Sequence, residues 1–150
     1  MKKALLFILL VGGVLAATFA YSECSKITAF EQERTYVFYS AQLQFNDQYE
    51  RDTILNGKTE QQFIDSYPGL KQTKFIFKKD GSMYAPKENT VSYAYYYELK
   101  EGVITVYDSK GGEKYMTFEV SGDQIKTKLY YFESIGTGNS YFDAVFTLSA

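Results

Sequence analysis

Lys114-Tyr115-Met116-Thr117-Phe118-Glu119-Val120-Ser121-Gly122-Asp123-Gln124-Ile125 is the stretch that decides the fold class. Met116, Phe118 and Val120 alternate with Tyr115, Thr117 and Glu119, so an extended strand here has one apolar face and one polar face. Ser121-Gly122-Asp123 supplies the turn, and a second strand runs from Ile125 to Glu133. The unit is a β-hairpin, and the same grammar extends in both directions along the chain.

Toward the N-terminus, Phe75 and Phe77 alternate with Lys74, Ile76 and Lys78 before Asp80-Gly81 turns the chain into a short strand at Ser82 to Tyr84. Pro86-Lys87-Glu88-Asn89 forms a loop, Val91 to Lys100 a long strand ending at Glu101-Gly102, and Val103 to Asp108 the next strand, closed by Lys110-Gly111-Gly112. Toward the C-terminus, Gly136-Thr137-Gly138-Asn139 separates the 125–133 strand from a last one at Tyr141 to Leu148. Connections this short exclude parallel pairing, which needs crossovers of about a dozen residues or more. Thr35 to Phe45 adds a long first strand with Val37, Tyr39, Ala41, Leu43 and Phe45 on one face.

The segment between Asn46 and Leu70 has no period of two. Thr59 and Gln62 have the spacing of a helix capping box ahead of Phe63, Ile64 and Tyr67, and Pro68-Gly69 ends the segment, which predicts a two-turn helix acting as a lid or a plug over one end of the sheet. Thr28 and Glu31 repeat that spacing and predict a short helix leading into the first strand. The expectation is an all-β, antiparallel up-and-down meander of seven to eight strands with one or two short helices. Because a meander leaves two exposed edges unless its first and last strands meet, it closes into a small barrel; a two-sheet sandwich is the alternative.

The chain begins with Lys2 and Lys3 and then an uncharged run from Ala4 to Ala20, shorter than a membrane-spanning helix and closed by Ala16, Ala17 and Ala20. These are the parts of a signal peptide, with cleavage after Ala20 or after Ser22. Residues 1–20 are therefore expected to be removed, leaving 21–150 as one domain, exported to the periplasm or the medium, with no membrane span. Cys24 offers a second outcome, cleavage before it and attachment of a lipid anchor, but Tyr21-Ser22-Glu23 lacks the Leu and the adjacent Gly or Ala of such sites. As the single cysteine it forms no internal disulfide, so the domain is held by its core.

Lys2 and Lys3 account for two of the 16 basic residues, so 14 remain against 18 acidic ones, a net charge of −4. That is not the clustered positive charge a nucleic-acid partner requires. The chain has no histidine, which removes the commonest general base and metal ligand and with them the usual triads and zinc sites. No catalytic constellation, cofactor motif or metal site is expected. Asp108 and Glu113 flank a glycine turn but lack the dense ligand spacing of a calcium loop. Glu133 and Asp143 are two carboxylates that face each other only under one register of the last hairpin.

The 15 tyrosines and 12 phenylalanines are the richest feature. In Tyr93-Ala94-Tyr95-Tyr96-Tyr97, alternation places Tyr93, Tyr95 and Tyr97 on the apolar, inward face, and Tyr39 and Tyr131 join them if their strands keep the register. These five are the candidate ligand-binding residues, as the aromatic wall of a pocket with hydroxyl tips. The ordinary reading is that the rings simply fill the barrel. Tyr36, Phe38, Tyr96, Tyr115 and Tyr130 fall on the outer face, where tyrosines give contact area to partner proteins.

Phe77-Lys-Lys-Asp-Gly-Ser82, Tyr97-Glu-Leu-Lys-Glu-Gly-Val-Ile-Thr-Val106 and Tyr115-Met-Thr-Phe-Glu-Val-Ser-Gly-Asp-Gln-Ile125 together resemble the lipocalin-like domains of exported bacterial proteins, over residues 73 to 130. The resemblance implies an up-and-down barrel of about eight strands, whose interior is either just filled by side chains or holds one small ligand. True lipocalins carry a Gly-x-Trp on the first strand, whereas this strand opens Arg34-Thr35-Tyr36 and the chain has no Trp. Two functions follow as expectations: a non-enzymatic binding module holding a small apolar or aromatic ligand in the barrel, or an envelope interaction or inhibitor protein whose barrel is packed solid.

Overall fold

The computed structural model describes residues 28–86, 94–130 and 139–150. Eight strands run in chain order: β1 (Arg34–Gln44), β2 (Lys74–Phe77), β3 (Ser82–Tyr84), β4 (Ala94–Lys100), β5 (Val103–Tyr107), β6 (Lys114–Ser121), β7 (Gln124–Leu129) and β8 (Tyr141–Leu148). Each pairs antiparallel with its sequence neighbour, and β1 pairs with β8 to close the barrel. The signal-peptide residues 1–20 and Cys24 lie outside the described residues.

The meander divides the barrel into two unlike ends. One end carries the tight turns at 78–81, 101–102 and 122–123, where Gly81, Gly102 and Gly122 all have positive φ, as the sharp reversals require. Residues 28–33 cross this end without forming the expected helix. Their anchors are instead a bond from the Leu99 N–H to the Thr28 carbonyl at 2.9 Å and the buried Phe30 ring, which packs against Tyr36, Phe77 and Tyr97. Here the local capping signal is overridden by burial of one large ring.

The other end carries the long connections, including two helices between β1 and β2. The helix α2 (Glu60–Ser66) has the capping box read from Thr59 and Gln62, with both reciprocal bonds made. It is preceded by α1 (Gln48–Leu55), which the sequence reading missed. The local signal for α1 was present: Asp47 caps the Glu50 N–H at 2.8 Å, Ile54 and Leu55 are buried, and Asn56 ends the helix in the left-handed conformation. Phe63 and Tyr67 bring the second helix onto Phe142 of β8, with ring centroids 6.2 and 5.0 Å away. Buried Glu50 accepts a hydrogen bond from the Ser140 hydroxyl, which itself accepts from the Asn46 N–H at 3.2 Å. The helical segment thus fits the role of a plug.

The interior is filled by rings. Phe75 lies 4.9 Å from both Phe118 and Phe146, edge to face, and Phe77 lies 5.0 Å from Tyr97 and 5.6 Å from Phe118. Met83, Ile104, Val106, Ile125 and Ala144 complete the same core with no exposed surface. Phe75 and Phe77 on β2 and Phe118 on β6 are positions that the alternation in the sequence places on the apolar face.

On β1 the alternation changes sense. The register with β8 shifts between Phe38 and Ser40, so Tyr39 is an extra residue in the strand. Before this bulge the even positions face inward: Tyr36 is fully buried, and Phe38 packs edge to face on Phe146. After it the odd positions do so, with Leu43 buried and Ala41 and Phe45 packed against the core. The expectation of one apolar face from Val37 to Phe45 is therefore correct for Ala41, Leu43 and Phe45. It is reversed for Val37 and Tyr39, and likewise for Tyr36 and Phe38, which were placed outside.

The reversal sets a direct contrast. Tyr36→Ala should cost about 3–5 kcal/mol, as for a large ring removed from a packed core, while Tyr39→Ala should change stability by no more than about 0.5 kcal/mol. Urea unfolding of the two variants measures both, and equal effects would contradict the placement of the bulge.

Candidate functional site

Of the five tyrosines expected to line a pocket, Tyr93 and Tyr131 lie outside the described residues. The other three separate. Tyr39 sits on the bulge and is 63% exposed, so it faces solvent instead of the lumen. The cause is the extra residue at that point of β1, which turns the side chain out.

Tyr97 faces inward as expected and is buried in the core. Its hydroxyl donates to the Lys78 carbonyl at 2.7 Å and accepts from the Phe30 N–H at 3.0 Å. Both backbone groups belong to the short-turn end, so Tyr97 ties the crossing segment 28–33 to the β2–β3 hairpin. Its hydrogen-bonding capacity is engaged in structure rather than offered to a ligand. Burial raises its pKa above the usual 10.0.

A raised pKa on folding means that Tyr97 stabilises the fold fully below its unfolded pKa and that this contribution is lost as pH rises through the folded value. Tyr97→Phe should cost about 1–3 kcal/mol at neutral pH by stranding the Phe30 N–H, while the Lys78 carbonyl keeps the Gly81 N–H at 3.2 Å. The variant should also lose less stability than the parent between neutral pH and pH values above 10.0. Unfolding curves at the two pH values check this, and an unchanged alkaline sensitivity would reject the assignment.

Tyr95 stands on the same inward face but nearer the long-loop end, and is half-buried. Its ring stacks on Tyr115 at 5.1 Å with 18° between planes. Tyr115 reaches it because the β5–β6 register also shifts, pairing Val106 with Met116 and then Tyr107 with Lys114. Tyr115 is the extra residue of that bulge and keeps 60% of its surface exposed. The β1 bulge thus turns out Tyr39, which strict alternation places inward, whereas Tyr115 stays on the outer face expected of it and the β5–β6 bulge lets its ring meet Tyr95.

Two of the exposed rings share one part of the wall. Tyr115 and Tyr130, with Lys114, Thr117, Lys126, Lys128 and Asp143 among the other residues, line an open groove of about 380 Å³ between β6 and the β7–β8 pair. Tyr130 is 47% exposed and packs on Tyr141 at 5.2 Å, and the Lys128 ammonium lies 4.8 Å from the Tyr141 ring centre. Lys126 is held by Asp143 at 3.0 Å. Hydrogen bonding to that carboxylate, together with its charge, pushes the lysine pKa above its usual value.

Asp143 is therefore engaged by a lysine, while Glu133, its suggested partner, lies outside the described residues. Asp108 accepts from the Glu113 N–H at 3.1 Å and the Ser109 hydroxyl at 3.0 Å, the bonds of an ordinary turn. Among the described residues no group of three or more candidate ligands could hold a metal ion, and no helix is long and apolar enough to cross a membrane.

The lysines of the groove were absent from the sequence-derived candidates. Lys126, Lys128 and Tyr130 share one face of β7 by simple alternation, so their common side was readable. Their opposition to Lys114 and Tyr115 was not, because it depends on how β6 and β7 diverge. Comparisons with protein-family models, with curated proteins and with solved structures give no match.

Proposed function

We propose that this protein is an exported, non-enzymatic interaction module of the cell envelope that recognises its partner with the outside of the barrel wall. The observation that carries this reading is the division of the aromatic residues. Phe75, Phe77, Phe118, Phe142 and Phe146 interlock through the middle of the barrel, while Tyr115 and Tyr130 flank a polar groove on its surface. A filled interior favours an eight-stranded barrel that acts as a rigid scaffold. Exposed tyrosines beside it offer large contact area with few rotatable bonds. The charged start of the chain and its apolar run support export.

A small apolar ligand at the long-loop end is a second reading. It draws on the partial exposure of Tyr95 and Met116, which pack against the core without being covered by it.

Retention of a specific partner from an envelope extract on the immobilised protein tests the first reading. Tyr115→Ser with Tyr130→Ser should lower recovery of that partner at least tenfold, while Tyr49→Ser, at an exposed position on α1, should leave it unchanged. Recovery insensitive to the groove tyrosines would refute the surface reading. Saturable binding of an apolar dye that is abolished by Tyr95→Ala would favour the second.

A further inference from the structure

The β6–β7 ladder is shorter than its strands. It pairs Ser121 with Gln124, Val120 with Ile125 and Glu119 with Lys126, and stops there. Yet β6 begins at Lys114 and β7 continues to Leu129, each still paired on its far side, with β5 and β8. The next pairs in register, Phe118 with Thr127 and Thr117 with Lys128, are not joined. In their place the Thr127 hydroxyl donates to the Thr117 carbonyl at 2.7 Å, a side-chain bridge where a backbone bond would stand in a continuous ladder. The wall therefore opens as a wedge from this point toward the long-loop end, and the groove described above is that wedge. Met116 and Thr127, from the inward faces, help to line it along with the outward lysines and tyrosines.

The direction of the backbone groups follows from the neighbouring bonds. The Val120 N–H reaches the Gly102 carbonyl at 2.8 Å, so Val120 points to β5, and alternation points Glu119 and Thr117 to β7. The Leu148 N–H reaches the Asp123 carbonyl at 2.8 Å, so odd positions of β7 point to β8, and Lys126 and Lys128 point to β6. Lys128 thus turns its N–H and carbonyl into the wedge from one side and Thr117 its N–H from the other. Around these groups stand the ammonium groups of Lys114, Lys126 and Lys128 against the carboxylates of Glu119 and Asp143, and Asp143 is occupied by Lys126. Glu119 remains to set against Lys114 and Lys128, so these five groups leave the groove with one net positive charge.

Resting on the surface reading given above, we propose that the wedge takes an extended, acidic segment of a partner protein by strand addition to β7. Strand backbone supplies alternating carbonyl and N–H groups at the repeat that an open sheet edge presents, which is the chemistry of β-augmentation. Acidic side chains of the segment meet Lys114 and Lys128 at the rim. The exposed rings of Tyr115 and Tyr130 pack against its alternate side chains. Screening by salt weakens such rim contacts, so binding falls with ionic strength.

Selection from a random decapeptide display library against the folded domain is the experiment. The enriched peptides should alternate Asp or Glu with β-branched or aromatic residues. Binding of one enriched peptide should weaken at least tenfold in Lys128→Glu and in Lys114→Glu, and less in the milder Lys114→Gln. Circular dichroism of each variant checks that the barrel is intact. In amide hydrogen exchange the peptide should protect the N–H groups of Thr117 and Lys128. No enrichment, enrichment without acidic residues, or protection elsewhere on the barrel would overturn the proposal. Partner recovery lost in the tyrosine variants but kept in the lysine variants would leave the surface reading standing and remove the strand-addition one. Groove-dependent binding of a glycan or a small molecule in place of peptides would also remove it.

Discussion

Pairing of β1 with β8 is the constraint on which the rest of this molecule depends. A meander of eight strands has two free edges, and each would present a row of unpaired amides to solvent or to another chain. Here the long first strand runs against the last from Tyr36–Leu148 to Gln44–Tyr141, so both edges vanish together. Closure also fixes the diameter, and an eight-stranded ring encloses about the space that bulky side chains fill. The Phe38–Ser40 bulge lets β1 keep its pairing with β8 while swapping which positions face the core. Without that one extra residue, Tyr36 and Leu43 could not both be buried.

The ring-packed interior follows from closure and, among the described tyrosines, takes in Tyr36 and Tyr97. Phe75, Phe77, Phe118 and Phe146 meet edge to face, the geometry favoured by the charge distribution of aromatic rings. Tyr97 belongs to this set through its ring and to the backbone through its hydroxyl, which joins two segments 19 and 67 residues away along the chain. Phe30 closes the same end, with the Arg34 guanidinium 4.5 Å from its ring centre on the outside. At the opposite end the two helices perform the equivalent task through Phe63, Tyr67 and the Glu50–Ser140 contact. Segments that are not part of the sheet thus pack against both ends of the core.

Against this closed design the wedge between β6 and β7 is the exception. Pairing there is given up while both strands continue, and the place is marked by lysines and tyrosines instead of by a tight apolar seam. A local departure from regular pairing, set in an otherwise rigid scaffold, is where a binding function is most readily accommodated. The chemistry of the rim is lysines in excess of carboxylates beside the exposed rings of Tyr115 and Tyr130.

Much of the fold was legible in the residues. Period-two patterning fixed β2 and β5 to β8, because each strand is covered on one side only, and the β8 bounds Tyr141 to Leu148 coincide with those observed. Asp80-Gly81, Glu101-Gly102 and Gly122-Asp123 marked turns because few residues tolerate positive φ. The capping box at Thr59 and Gln62 fixed α2, since both its bonds are local. What only the tertiary structure decided was everything that depends on register between strands. Two bulges turned Tyr39 outward and brought Tyr115 onto Tyr95. Burial of Phe30 replaced a helix by a crossing segment, and the divergence of β6 from β7 assembled Lys114, Lys128 and Thr117 into one place. The physical reason is that alternation and capping are written within a strand or a turn, whereas a bulge or an interrupted ladder is a compromise between two strands and is recorded in neither alone.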